Sequence, residues 1–295
     1  MTSASPIRQA PELQKRPRNY RPIPGLGLSL GISLFWIGLV VILPLVALVL
    51  MSLRLDAETF YQAVTNDRAL LAYALSFGSA LVAAIVNLFF GLLLAWILVR
   101  YRFPGKGLLD AMIDLPLALP TAVAGIALTA TFGPHGPIGE MLADLGIKGA
   151  YSRLGVVIAL IFIGIPFVVR AVQPVLKDLQ PELEEAAATL GATRAQTFFR
   201  VILPALRPAL LTGFALAFAR GVGEYGSVVF ISGNLPNKTE IVPFLIMTKL
   251  EQYEYSQAAA LAFVMLIFSF AILFTLNRLE KARRRLPART AEVPA

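Results

Sequence analysis

Residues 69–99 read ALLAYALSFGSALVAAIVNLFFGLLLAWILV, and no charged side chain interrupts them. An α-helix rises about 1.5 Å per residue, so about 20 apolar residues cross the roughly 30 Å hydrocarbon core of a bilayer. The run is longer than this requirement. It therefore predicts a helix that spans a membrane.

Further apolar stretches of similar character lie on both sides of this run. They are residues 26–53, 115–131, 154–169, 208–231 and 258–276. Hydrophobic residues make up 57% of the chain and charged residues only 15%, a balance too apolar for a soluble domain of 295 residues. The sequence predicts an all-α, polytopic membrane protein with six transmembrane helices in one domain, residues 26–276.

Basic residues indicate which loops face the cytoplasm, because Lys and Arg near span ends are retained on that side. With both termini inside, 19 of the 26 basic residues lie in cytoplasmic segments, 6 lie in external loops and Arg220 lies within the fifth span. We expect a multi-pass protein of the cytoplasmic (inner) membrane with both termini in the cytoplasm. A disordered tail at residues 1–25 and a basic tail at residues 277–295 are expected to flank the domain.

The composition also excludes several functional classes. The net charge of +8 follows from the predicted topology, so it gives no reason to expect a nucleic-acid partner. The absence of cysteine and the single histidine, His135, exclude disulfides, thiolate sites and paired-histidine metal sites. No Gly-x4-Gly-Lys-Ser/Thr phosphate loop is present. We therefore expect no cofactor on this chain, and any ATPase that serves it must lie on another chain.

The polar segment before the fifth span, about residues 178–205, has helical signals of its own. Pro181 suits the first turn of a helix, the glutamates that follow place negative charge at its positive end, and Gly191 can adopt the left-handed conformation that ends it. Thr193 and Gln196 fit a capping box for a second helix, which we expect to end at Pro204. The segment therefore predicts two short helices with a corner at Gly191.

The segment contains Glu185-Ala186-Ala187, Gly191 and Leu203-Pro204. These residues form a motif that resembles the EAA loop by which ABC-importer permeases dock onto their ATPase subunits, which would use ATP and Mg²⁺. The resemblance implies that coupling to the ATPase uses Glu185, Ala186, Ala187, Leu190, Gly191, Leu203 and Pro204. The alternative is an ordinary membrane-surface loop that packs against the ends of its own spans.

Longer patches carry a wider resemblance. Residues 109–111, 114–125, 219–234, 238–241 and 249–253 are similar to the sulfate and thiosulfate ABC-importer permeases of the T type, and the similarity covers roughly residues 25–280. It implies the fold of a type I importer permease. It also implies a complex with two copies of an ABC ATPase subunit, a second permease of the W type and an extracytoplasmic sulfate-binding protein.

Only the fifth of the six predicted spans contains charged residues. Arg220 and Glu224 are four residues apart and are expected on one face of the fifth helix. One hypothesis places them and Tyr225 on the anion path, where Arg220 supplies positive potential and Glu224 positions it. The other makes the two charges a structural ion pair. Asp110 and Asp114 also share a helical face, at the cytoplasmic border, and are expected to make interface contacts.

Other functions compete with the import of sulfate. A related permease could carry another oxyanion, such as molybdate. An intramembrane enzyme would need a nucleophile with a base, or paired metal ligands, at membrane depth, and the sequence offers neither. An ion-coupled carrier usually shows inverted repeats and midplane carboxylates, and only Glu224 meets that description.

Overall fold

The computed structural model describes residues 26–284, and all regular elements within them are helices. The all-α prediction is confirmed. The predicted tail at 1–25 lies outside the described residues, as does 285–295 of the predicted basic tail, whereas 277–284 extend the last helix. In chain order the helices are α1 (Leu26–Ile37), α2 (Leu43–Ser52), α3 (Ala57–Thr65), α4 (Asp67–Arg100), α5 (Lys106–Ala118), α6 (Thr121–Phe132), α7 (Pro137–Asp144), α8 (Arg153–Lys177), α9 (Pro181–Thr189), α10 (Arg194–Thr197), α11 (Leu203–Val222), α12 (Val228–Ile231), α13 (Val242–Glu251) and α14 (Tyr255–Arg284).

Five helical segments among the described residues are long and apolar enough to cross a membrane. The first joins α1 and α2 through a π-helical turn at Gly38–Ile42, and its part up to Ala47 is a compact unit by itself. The fourth predicted span, 154–169, lies inside α8. The helix is longer than this apolar stretch, since it begins at Arg153 and continues through Arg170 to Lys177. The five segments are Leu26–Ser52, Asp67–Arg100, Arg153–Lys177, Arg194–Val222 and Tyr255–Thr275.

The third predicted span, 115–131, is not one helix. It is divided between α5 and α6, which meet at an angle of 114°. Leu119 between them is extended, with ψ of 140°, because the ring of Pro120 disfavours helical geometry in the residue before it. Continuous apolarity therefore did not predict the bend within this segment.

The bent pair α5–α6 still accounts for a crossing, because α4 and α8 run side by side in the same direction. In their second halves, a Cβ added to Gly91 would lie 2.7 Å from Cγ1 of Val168. At their starts, Leu71 and Leu154 line one groove. Since both helices run from one side of the membrane to the other, the chain between them must return. The pair supplies that return and brings the number of crossings to six.

The fifth predicted span, 208–231, has different ends from those expected. Its helix is continuous from Arg194 and includes a π-helical turn at Phe198–Ile202, in which the Leu203 amide donates to the Phe198 carbonyl. This wider turn accommodates Pro204, which lacks an amide hydrogen, so Pro204 does not end the helix as predicted. At the other end α11 stops at Val222, and Glu224 lies in the loop before α12.

Small residues allow α4, α8 and α11 to pack closely. A Cβ added to Gly221 would lie 3.3 Å from the Cβ of Ala80, and one added to Gly213 would lie 2.9 Å from the Cα of Val168. Such contacts let helix backbones approach within a membrane, where apolar burial between helices gives little driving force. The contact between Gly221 and Ala80 lies near the C-terminal end of α11. It therefore fixes the position of the Glu224 loop, which begins just beyond that end.

Candidate functional site: the Glu185 loop and the Arg220–Glu224 pair

The corner at Gly191 has the geometry predicted for it. Gly191 has φ of +79°, and its amide donates to the Ala188 carbonyl at 2.9 Å. The Ala192 amide donates to the Ala187 carbonyl at 3.0 Å. These two bonds form a Schellman motif, which satisfies carbonyls left open at the end of α9. The predicted left-handed end of the helix is confirmed.

The capping box that starts the next helix is also present. The Thr193 amide donates to Oε1 of Gln196 at 2.8 Å, and the Gln196 amide donates to Oγ1 of Thr193 at 3.3 Å. The two bonds satisfy donors at the helix start and fix the direction in which the chain leaves Gly191. The corner is therefore built on both sides by local hydrogen bonds.

The predicted coupling residues fall into two groups in the structure. Glu185, Ala186 and Leu190 are exposed, and Leu190 is 87% exposed although it is a large apolar side chain. Ala187 is half-buried, and Leu203 and Pro204 are half-buried at the base of α11. The first group forms an open face on α9, and the second belongs to the helix that continues into the membrane.

A link between this loop and α4 was missed by sequence reasoning. Arg100 at the end of α4 forms an ion pair with Glu184 of α9, and its guanidinium lies 5.3 Å from the centre of the Trp96 ring. Trp96 in turn meets Phe198 edge to face, with ring centroids 5.6 Å apart. The four-residue spacing of Trp96 and Arg100 was the available signal. α9 and the start of the helix that runs on from Arg194 are thus both attached to one end of α4.

The Glu224 carboxylate is buried, and both of its oxygens accept hydrogen bonds. It is 2% exposed and forms an ion pair with Arg220, whose side chain is 35% exposed. Its other oxygen accepts from the amide and the hydroxyl of Ser227, at 2.9 and 3.0 Å. The predicted pairing is present, although Glu224 is beyond the helix end. The carboxylate is held from two sides, whereas the guanidinium is partly open.

Two glycines hold the Glu224 loop on α6. A Cβ added to Gly125 would lie 2.5 Å from the carbonyl oxygen of Ser227, and one added to Gly226 would overlap the hydroxyl of Thr121. Neither position has space for a larger residue. Tyr225 is half-buried in this loop, and its carbonyl accepts from the Val229 amide at 3.0 Å. The loop therefore rests directly on the backbone of α6.

A second charged cluster joins α5 to α8. Arg170 donates to Asp114 through Nε at 2.9 Å and Nη2 at 2.5 Å, and to Asp110 Oδ1 through Nη1 at 2.7 Å. The same Nη1 donates to Oε1 of Gln173 at 2.6 Å. The sequence placed the two aspartates on one face but did not identify Arg170 as their partner, which is 56 residues away from Asp114.

Comparison with known proteins assigns the family. The family model described as binding-protein-dependent transport system inner membrane component matches residues 87–285, which include the Glu185 loop and the Arg220–Glu224 pair. The chain belongs to this family. It is a transport component and not a catalyst, and the prediction of an importer permease is confirmed.

Curated relatives cover nearly the whole chain. The sulfate transport system permease protein CysT of Escherichia coli (strain K12) is 50% identical over 260 residues, which are 88% of this chain and 94% of that protein. The protein of the same name from Synechocystis sp. (strain ATCC 27184 / PCC 6803 / Kazusa) is 48% identical over 254 residues, 86% of this chain and 89% of that protein. The resemblance to T-type permeases is confirmed.

Solved structures share the fold at low sequence identity. A chain of the bacterial alginate ABC transporter, in complex with an alginate-bound periplasmic protein, superimposes with a TM-score of 0.73 at 16% identity, covering 88% of this chain and 95% of that chain. The inward-facing MetNI methionine ABC transporter gives a TM-score of 0.51 at 18% identity, covering 72% and 95%. The predicted permease fold is confirmed.

Proposed function

We propose that this chain is the permease subunit of an ATP-driven importer of sulfate and thiosulfate. The observation that carries the proposal is the 50% identity to a sulfate permease through 94% of that protein's length. The 260 matched residues outnumber those of the apolar spans, so the similarity extends into the loops. A substrate shared with these relatives is therefore the simplest assignment.

The proposed complex contains two copies of an ABC ATPase, a second permease of the W type and an extracytoplasmic sulfate-binding protein. A separate ATPase is required because the sequence has no phosphate-binding loop. The second permease would complete a path of which this chain forms one side. The proposed orientation places both termini and the Glu185 loop in the cytoplasm, where ATP is available.

In this proposal α9 couples ATP hydrolysis to transport. Its exposed face, which includes Glu185, Ala186 and Leu190, has the small and apolar side chains that fit a groove on a partner. A movement of α9 would reach α4 through the Glu184–Arg100 ion pair. It would reach α11 through the Gly191 corner and the continuous helix from Arg194. Two routes thus join the docking face to the membrane core.

Arg220 is the proposed cation on the anion path. Its guanidinium is partly open, while Glu224 and Ser227 fix its position from the buried side. A cation at this depth lowers the cost of bringing an anion into an apolar environment. Tyr225 lies in the same loop and is assigned to the path with it. In this proposal Glu224 holds Arg220 and does not itself meet the anion.

Uptake of radiolabelled sulfate tests the proposed function. The gene would be deleted in its native host, and uptake would be compared with that of the same strain complemented with the intact chain. We expect deletion to remove sulfate uptake and excess unlabelled thiosulfate to compete with it in the complemented strain. Phosphate uptake is the control and should not change. Unchanged sulfate uptake together with lost molybdate uptake would assign a different oxyanion.

A further inference from the structure

An open groove of about 490 Å³ lies between the first part of α4 and the start of α8. Its α4 wall includes Leu71, Leu75, Gly78 and Val82, which share one face at helical spacing, and Leu154 of α8 forms part of the other wall. At about 1.5 Å per residue the distance from Leu71 to Val82 is about 16 Å. The groove is therefore long, narrow and mainly apolar.

The charges of the groove are gathered at one end. Arg153 and Lys238 line that end, and Nε of Arg153 donates to the carbonyl of Lys238 at 3.0 Å. Among residues 26–284, neither side chain takes part in an ion pair. Glu240 also lines the groove, but Arg68 binds both of its oxygens, at 2.7 and 2.6 Å. Within the part of the chain that the structure describes, these two cations are thus left without a carboxylate partner.

The charged end of the groove lies at the boundary of the membrane. Beyond Arg68, α4 has no charged residue until Arg100, and beyond Arg153, α8 has none until Arg170. The starts of both helices also carry the positive end of the helix dipole. The groove therefore passes from a positive polar layer into the hydrocarbon layer, which is the profile of an anionic phospholipid.

We propose that this groove binds one anionic phospholipid, with its phosphate at Arg153 and Lys238 and an acyl chain along α4. Gly78 supports this assignment, because a Cβ added there would meet no atom within 4 Å. Gly78 therefore leaves the middle of the groove open, and no neighbouring atom is so close that a larger residue would be excluded from this position. Basic groups at the end of an interhelical groove favour anionic headgroups, and an acyl chain gains from burial against the apolar walls.

Lipid retention by the purified complex tests the proposal. The complex would be purified in detergent from native membranes, stripped of bound lipid, and offered phosphatidylglycerol or phosphatidylcholine of the same chain length. Native mass spectrometry would then count the lipids bound per chain. We expect one phosphatidylglycerol per chain, with occupancy at least threefold above that of phosphatidylcholine.

Two kinds of variant separate the charge from the shape of the groove. Arg153→Gln with Lys238→Gln should remove the preference for phosphatidylglycerol, and Gly78→Leu should remove binding of both lipids. Lys148→Gln and Gly107→Leu are the controls, because Lys148 is an exposed cation elsewhere and a Cβ at Gly107 also meets open space. Both controls should bind as the parent does. Size-exclusion chromatography would verify that each variant stays assembled.

Several outcomes would overturn the proposal. Equal occupancy by the two lipids in the parent would remove the role of the cations. Competition by millimolar inorganic phosphate at unchanged acyl-chain occupancy would indicate a free-anion site. Loss of a partner subunit from Gly78→Leu, with phosphatidylglycerol still bound, would mean that a protein helix occupies the groove.

Discussion

Gly191 is the residue at which local geometry and the proposed coupling meet. Its φ of +79° is costly for any side chain with a branched Cβ, yet a Cβ there would meet no neighbouring atom. Gly191→Val should therefore act through backbone strain alone, at a cost of about 1 kcal/mol or more. We expect it to turn α9 away from its docking direction and to reduce both recovery of the ATPase with the purified permease and sulfate uptake.

Matched glycine variants test this interpretation of Gly191. Gly146 also has a left-handed φ, +72°, and open space around its missing Cβ. Gly146→Val thus introduces the same strain outside the loop and should leave ATPase recovery unchanged. Gly191→Asn should retain much of the activity, because asparagine tolerates this conformation. Full recovery and uptake with Gly191→Val would favour an ordinary surface loop.

For variants of the Arg220–Glu224 pair we predict different effects on the yield of the assembled complex and on sulfate uptake. Arg220→Gln leaves the buried Glu224 carboxylate without its cation, so the yield of the complex should fall. Glu224→Gln leaves only a partly exposed guanidinium and should cost less. We expect the double variant to restore the yield without restoring sulfate uptake, which should stay about tenfold or more below that of the parent, since loss of about 1.4 kcal/mol is a factor of ten.

Extracted complex and uptake must be measured in the same cells for these three variants. Arg220→Lys is the matched control, because it keeps the positive charge and should retain part of the uptake. A double variant that regains both yield and uptake would make the pair purely structural. In that case the anion path would need no cation at Arg220.

At the level of single residues, the sequence predicted the features that depend on near neighbours. The left-handed Gly191 and the Thr193–Gln196 capping box each involve residues within a few positions of one another. The partners of Arg100 and Arg170 lie 84 and 56 to 60 residues away, and no spacing rule connects them. Only the packing of whole helices brings those charges together.

Between elements, the attachment of α9 to α4 by Glu184 and Arg100 is open to test. Glu184→Gln removes the ion pair and leaves the Arg100–Trp96 contact in place. Partly exposed pairs contribute up to about 1 kcal/mol, which corresponds to about a fivefold effect. We expect transport per ATP hydrolysed to fall severalfold, measured with the complex reconstituted in vesicles.

Glu182→Gln is the control for this variant. Glu182 lies in the same turn of α9, is exposed, and takes part in no ion pair among the described residues. Glu182→Gln should leave transport per ATP hydrolysed unchanged. An equal loss with both variants would mean that the negative charge of the turn matters and the link to α4 does not.

The Arg170 cluster predicts a change in stability. Arg170→Lys keeps the charge but loses the planar fork that binds Asp114 through two nitrogens. Because the side chains of Asp110 and Asp114 are 42% and 45% exposed, we expect a loss of about 1 kcal/mol, or a melting temperature of the complex lower by about 2 to 4 °C. Arg102→Lys, at an exposed arginine outside this cluster, should not change the melting temperature.

Among the elements, apolar length predicted which segments cross the membrane and failed where backbone chemistry interrupts a span. The bend between α5 and α6 comes from Pro120 within an unbroken apolar run. The end of α11 at Val222 precedes Gly223, although the apolar residues of Val228–Ile231 follow after only five residues. Hydropathy reports burial in lipid and does not report helix continuity.

For the whole molecule, the proposed orientation can be tested because the chain has no cysteine. Single cysteines would be introduced at Asp144, Thr193 and Asn237, all outside the five spans and the bent pair. An impermeant thiol reagent added to intact cells should label the positions at Asp144 and Asn237 and not that at Thr193. Permeabilised cells, in which all three should react, provide the control. Labelling at Thr193 alone would reverse the topology.

The two glycines that hold the Glu224 loop on α6 have a consequence for how the molecule can move. Gly125 brings the backbone of α6 against the backbone of Ser227, and Gly226 brings the loop against the side chain of Thr121, so we expect the loop and the first half of α6 to move together. A rearrangement that moves Glu224 away from Arg220 would then carry α6 with it. A saturation mutagenesis scan should therefore find these two positions intolerant even of alanine, while Gly223, close to Glu224 but unconfined, accepts substitution.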